Sequence, residues 1–212
     1  MMLSDRFQKV ITELGMAALE QPLFYHAPVG IRFEIGGEEP VYLDTEPYRP
    51  NPAYINDALK RARTIYEKLP EPPDLLRIDS CPDEEDEDTL VSTICRRAGL
   101  HAPHQQKIEA AALPDQRPFR QLQLYWDLSE LEFCPERLLR EIILGDIGGW
   151  PGFVSSVYLS GSGPILYHLY DDRGLDILGG TRELLLPLYH RFGGWILDYD
   201  RERIDRIFSE AE

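Results

Sequence analysis

The chain lacks any apolar run approaching the roughly 18 residues of a membrane-spanning helix, and Met1 to Val10 lacks the apolar core of a secretion signal. Neither a membrane span nor an export leader is therefore expected. Cysteine is scarce. Cys81, Cys95 and Cys134 are an odd number at wide spacings, which fits neither a disulfide framework nor a zinc ligand set. Reduced thiols in a cytoplasmic protein are the expectation. Basic charge is also in short supply, with 22 Lys and Arg against 37 Asp and Glu, a net charge of −15, and the basic residues are scattered among acids. A phosphate backbone would be repelled, so nucleic acid is not an expected partner. A basic protein partner fits the charge better, although solubility alone also accounts for it. There is no Gly-rich phosphate loop, serine elbow, Cys–His pair at a diagnostic spacing or solenoid repeat. No cofactor is implied, and a non-enzymatic role is favoured over an enzyme.

What is present suffices for a sizeable core: 212 residues, 43% of them hydrophobic. Ser4 is placed to cap a helix carrying Phe7, Val10, Ile11 and Leu14, and Gly15 suits the left-handed position past its end. Pro22 to Pro28 reads as a buried extended connection. Ile31, Phe33 and Ile35 alternate with Arg32 and Glu34 as a strand. Gly36-Gly37 then predicts a turn that returns Val41 to Leu43 as its hairpin partner. Asn51-Pro52 opens the strongest helix, with Ile55, Ala58, Leu59, Ala62, Ile65, Tyr66 and Leu69 in helical period. Leu75 to Asp79 reads as a strand, Thr89 to Ala98 as a helix and Phe119 to Trp126 as a long alternating strand. Residues 99 to 118 read as a connection with a helical turn at Lys107 to Ala112, and His101 and His104 as exposed loop histidines. A helix opens at Pro135, and Gly148 to Gly152 connects it to a strand over Phe153 to Leu159.

The expected fold is α+β: a mainly antiparallel sheet of about five to seven strands flanked by helices, in one domain. Two lobes are the alternative, 1–80 and 118–212, with 81–117 as an acidic insert and connection. That insert carries six consecutive acids, Asp83, Glu84, Glu85, Asp86, Glu87 and Asp88. Like-charge repulsion keeps such a run solvated, which leaves it available to a cationic partner. It lacks the ligand spacing of a calcium loop.

The densest patterning lies in Ile165 to Arg201: a strand, an acidic turn, a second strand, a short helix opening at Thr181 and interrupted by Pro187, and a last helix for which Asp200 is the expected cap. Gly174 is expected at positive φ in the turn, and Tyr199 and Ile204 have the spacing of a hydrophobic staple. Pro22-Leu-Phe-Tyr-His26, Gly30-Ile-Arg-Phe-Glu34, His168 to Asp176 and Trp195 to Arg201 together resemble the bacterial family numbered 3885 among the domains of unknown function. The resemblance touches both ends of the chain and implies a small bacterial cytoplasmic protein of undetermined role. Where that family reads Ile-Asp-Tyr before its middle helix, this chain has Leu131-Glu-Phe-Cys134.

Two functional readings follow. In one, the chain is a protein-binding module, in the manner of an immunity protein that neutralises a cationic partner. In the other, Asp171, Asp172, Asp176, Asp198 and Asp200 converge on a hard cation such as magnesium and support metal-assisted hydrolysis. Turn bonding, helix capping and pairing with Arg173 and Arg201 are the competing structural roles for these acids. His168, beside Tyr170, is either a general base or a satisfied core histidine.

Overall fold

The computed structural model describes residues 1–81, 86–111, 119–147 and 155–209. In chain order its elements are α1 (Leu3–Glu13), α2 (Leu23–His26), β1 (Gly30–Glu34), β2 (Tyr42–Thr45), β3 (Tyr48–Pro50), α3 (Pro52–Tyr66), β4 (Leu75–Ser80) and α4 (Glu87–Ala98). These are followed by β5 (Gln105–Ala111), β6 (Phe119–Asp127), α5 (Pro135–Asp146), β7 (Ser155–Ser160), β8 (Ile165–Leu169), β9 (Gly174–Gly179), α6 (Arg182–Arg191) and α7 (Asp198–Phe208). Seven strands form one sheet in the order β1-β9-β8-β7-β4-β6-β5, with every neighbouring pair antiparallel. β2 and β3 pair separately as a small arm. The fold is α+β. The large sheet draws β1 and β4 from before residue 81, β5 from 81–117, and its other strands from the remainder.

Period-two alternation gives the sheet two unlike faces. Leu76 and Ile78, Leu122, Leu124 and Trp126, Tyr167 and Leu169, and Leu175 and Ile177 point into the main core, where α3, α4, α5 and α6 cover them. Fully burying each such side chain contributes about 1.5–3 kcal/mol. The opposite face is covered more sparingly. Phe7, Val10 and Ile11 of α1 and Leu23 of α2 pack there against Leu75, Tyr125, Tyr158, Leu166 and Leu178. α3 begins as its opening residues dictate: the Asn51 side chain accepts from the Ala53 amide at 3.0 Å, and Pro52 sits in the first turn. Gly15 and Gly99 hold left-handed conformations after α1 and α4. No helix among the described residues is long and apolar enough to cross a membrane.

Several local expectations give way to tertiary structure. β1 pairs along its length with β9, Gly30 facing Leu178 and Glu34 facing Gly174, and not with residues 41–43. Gly36 and Gly37 instead lie against α3, where a Cβ would stand 2.7 Å from the Tyr54 hydroxyl and 2.4 Å from the Asp57 carboxylate. The stretch expected to contain a helical turn at Lys107 is strand β5, paired with β6 from Gln105 to Ala111; Ala112 lies outside the described residues, as do Gly148 to Phe153. Pro22 to Pro28 is not extended throughout, since Leu23–His26 makes one helical turn. Ser4 lies inside α1, whose cap position is Met2, and its amide donates to Gln105 Oε1 at 3.0 Å.

The C-terminal stretch departs similarly. Gly174 does not have positive φ; glycine is required there because a Cβ would fall 1.6 Å from the Tyr170 hydroxyl. Thr181 precedes α6 without a side-chain cap bond, and Pro187 lies within that helix. α7 starts at Asp198, so Asp200 is not its cap but a buried residue of its first turn; Tyr199, 85% exposed, makes no staple.

Candidate functional site

Four separated segments meet at Arg32. Its guanidinium is buried and donates from Nε to Asp176 Oδ1 at 2.7 Å and from a terminal nitrogen to Oδ2 at 3.0 Å. Alternation places Arg32 on the face away from the main core, and the β1–β9 register sets Asp176 opposite it. α2 contributes the Phe24 amide, which donates to Asp176 Oδ2 at 3.2 Å, and the Tyr25 hydroxyl, which donates to Asp200 Oδ1 at 2.8 Å. Asp200 Oδ2 stands 3.8 Å from Arg32 and has no hydrogen bond. The rings of Phe24, Tyr25 and Tyr170 lie 5.2, 4.9 and 5.5 Å from the guanidinium carbon. Burial alone would lower the Arg32 pKa, but Asp176 more than reverses this and holds it above its usual value.

The acidic turn forms a second group. Asp171 accepts from the amides of Arg173 at 2.8 Å and Gly174 at 3.1 Å, and Arg173 closes over the same carboxylate. Asp172 is buried and accepts from the Tyr54 hydroxyl at 2.6 Å. Burial raises the Asp172 pKa, an effect the Tyr54 bond opposes. Exposed Asp146 completes a trio with Asp171 and Asp172, each offering one oxygen within 4.8 Å of the others. Asp198 belongs to neither group: its side chain is 99% exposed, 3.4 Å from Arg201. Arg201 also donates to the carbonyls of Gly193 at 2.8 Å and Ile196 at 3.0 Å.

A polar line crosses all seven strands on the α1 side. Arg32 faces Asp176, Asp176 faces His168, Tyr158 faces Arg77, Arg77 faces Tyr125, and Tyr125 faces Gln105. Between β8 and β7 the contact is a stack of the His168 and Tyr158 rings, with centroids 4.8 Å apart. At its centre Arg77 lies between Phe7, Tyr125 and Tyr158 and donates to both oxygens of Asp79, at 2.6 and 2.7 Å. Beside this pair opens a cleft of about 880 Å³ between the sheet and the wall formed by α1 and residues 17–21. Asp79, Gln123, Tyr125 and Tyr158 form its floor and are themselves buried. Burial raises the Asp79 pKa, with Arg77 acting against it, and pushes Tyr125 up to about 12.

His168 is bonded at both nitrogens. Nδ1 lies 2.9 Å from the Val157 carbonyl, which only accepts, so Nδ1 donates; Nε2 is then the acceptor for the Gln21 amide at 3.1 Å. This is a satisfied neutral core histidine whose pKa burial lowers, against the opposing pull of the Val157 bond and Asp176. Below pH about 6.5 the unfolded chain takes up a proton that the folded ring refuses, so stability falls as pH drops through that window. Urea unfolding at pH about 7 and about 5.5 should show wild type losing more stability than His168→Gln. An equal loss in both proteins would exclude His168 as the source.

The family described as Domain of unknown function (DUF3885) matches residues 3–200. The chain belongs to the DUF3885 family. No curated protein and no solved structure shows a match. The segments through which the DUF3885 resemblance was visible supply Phe24 and Tyr25, Arg32, Tyr170 and Asp176, and Asp200, the residues gathered at the first group. Of the acidic run in this DUF3885 chain, Asp83, Glu84 and Glu85 lie outside the described residues. Asp86 caps α4 by accepting from the Thr89 amide at 3.3 Å, Glu87 pairs with Arg120 at 2.5 Å, and Asp88 is exposed. The Arg77–Asp79 pair and its cleft escaped sequence reasoning. A usable signal existed, since opposite charges two apart in a strand share a face.

Proposed function

We propose that this DUF3885 chain is a non-enzymatic binding module for a cationic protein partner. The observation that carries the proposal is a group of unpaired carboxylates. Glu38, Glu39 and Glu46 are exposed on and beside the β2–β3 arm and Glu34 at the end of β1, with no ion pair among the described residues. Tyr48, 70% exposed, and Leu43, 49% exposed, lie on the same arm and supply apolar contact. Excess carboxylate on a protein of net charge −15 speeds encounter with a basic surface and slows it with an acidic one. Neutralisation of a toxin-like cationic protein is one such use.

The test is capture by the immobilised protein at low and high salt, beside the charge reversal Glu38→Lys, Glu39→Lys, Glu46→Lys. A basic protein retained by wild type at low salt and lost with the reversal is expected. Identical capture by both proteins, or capture by neither, would sink the proposal.

A second reading, metal-assisted hydrolysis, is favoured by the Asp146, Asp171 and Asp172 trio. Magnesium would have to share Asp171 with two amides and Arg173, and Asp172 with Tyr54. It requires a heat of magnesium binding that disappears in Asp146→Asn, which leaves both buried carboxylates in place.

A further inference from the structure

We infer that the cleft between α1 and the sheet receives a guanidinium or ammonium group carried on an alkyl stem. Its volume, about 880 Å³, falls within the size range of small-ligand sites. The chemistry of its lining then selects the ligand. Both cations of the cleft are already engaged: Arg77 donates twice to Asp79, and Lys107 pairs with Glu109. Acceptors remain. Each oxygen of Asp79 takes one of these bonds and offers a second lone pair, and Asp5 and Glu20 stand exposed on the wall. Four carboxylates, Asp5, Glu20, Asp79 and Glu109, thus face two cations, which repels phosphate and carboxylate ligands.

The wall adds a second constraint. Ile11, Ala17, Ala18 and Leu19 give it apolar character directly across from the polar floor. A ligand that satisfies both has a cationic head for Asp79 and a short methylene chain for the wall, as in an alkylguanidine or a lysine or arginine side chain. Burial penalises the Asp79 carboxylate even with Arg77 beside it, so a second cation stabilises its charged form. The tyrosine rings of the floor give the cation additional electrostatic support.

The same chemistry has two sources, a free small cation and a basic side chain of the protein partner. The second source rests on the binding function proposed above. Titration calorimetry with agmatine is the direct test, with inorganic phosphate and glucose as controls. Agmatine should bind and neither control should. Asp79→Asn should weaken binding by at least about tenfold, the loss of one charge-assisted bond. Ala18→Trp, which fills the cleft from its exposed wall and leaves the ion pair untouched, should abolish binding without lowering the melting temperature. Binding of phosphate in place of agmatine, or agmatine affinity unchanged in Ala18→Trp, overturns the assignment.

Capture of the basic protein separates the two sources. Loss of capture in Ala18→Trp assigns the cleft to a partner side chain, whereas retained capture with lost agmatine binding assigns it to a free cation. Agmatine binding with no protein captured overturns the binding-module proposal and leaves the cleft standing. Capture without agmatine binding does the reverse.

Discussion

Asp176→Ala is expected to lower the melting temperature by roughly 10 °C, the largest effect of any single substitution discussed for this chain. The substitution leaves Arg32 buried beneath three aromatic rings with its bidentate partner gone and only Asp200, 3.8 Å away, to answer its charge. Stranding one member of a buried ion pair destabilises by about 3–5 kcal/mol. In a domain of this length each kcal/mol moves the midpoint by about 2–4 °C. The Phe24 amide loses its acceptor as well, which loosens α2 from the sheet. The double variant Arg32→Met, Asp176→Leu should recover much of the loss, because removing both charges also removes their desolvation cost. Differential scanning calorimetry of the three proteins decides. If Asp176→Ala melts within about 2 °C of wild type, Arg32 is not the closed pair the geometry describes.

Arg77→Met is expected to rank second and to carry a pH signature. At neutral pH the loss should be about 3 kcal/mol, at the lower end for a broken buried pair because the neighbouring cleft admits water. Asp79, deprived of its cation, has its pKa raised further above the unfolded value. A carboxyl raised on folding contributes stability that is present below its unfolded pKa and lost as pH rises through the folded one. The stability gap between the variant and wild type should therefore narrow on moving from pH about 7 to about 5, since His168 contributes alike to both proteins. Urea unfolding of both proteins at the two values measures it, and a gap that stays constant or widens with acid would show that Asp79 is not the group left behind.

The elements with strong local signals were readable from sequence. The Asn51-Pro52 cap, the period of α3 and the alternation of Leu122, Leu124 and Trp126 each express burial on one face, and burial follows from residue type. β5 was hidden because Gln-Gln-Lys-Ile-Glu-Ala-Ala has little strand propensity; pairing with β6 makes it a strand. The partner of β1 was hidden for another reason. β9 lies more than a hundred residues away, and no local pattern encodes a contact at that separation. Among site residues, the turn bonds of Asp171 and the bonded state of His168 followed from their neighbours. The burial of Asp200 was also available, since Asp200, Ile204 and Phe208 are four apart on one helical face.

The line from Arg32 to Gln105 also bears on how the chain reaches its fold. A slip of one residue in any central strand would turn that strand's member of the line, Asp176, His168 or Arg77 among them, into the main core, where nothing is positioned to receive it. Aliphatic residues on both faces of β8 and β9 would tolerate such a slip much better by themselves. The polar line therefore works as a registration mark. It penalises misaligned sheets and so helps a seven-stranded antiparallel sheet of long-range pairings settle on a single alignment.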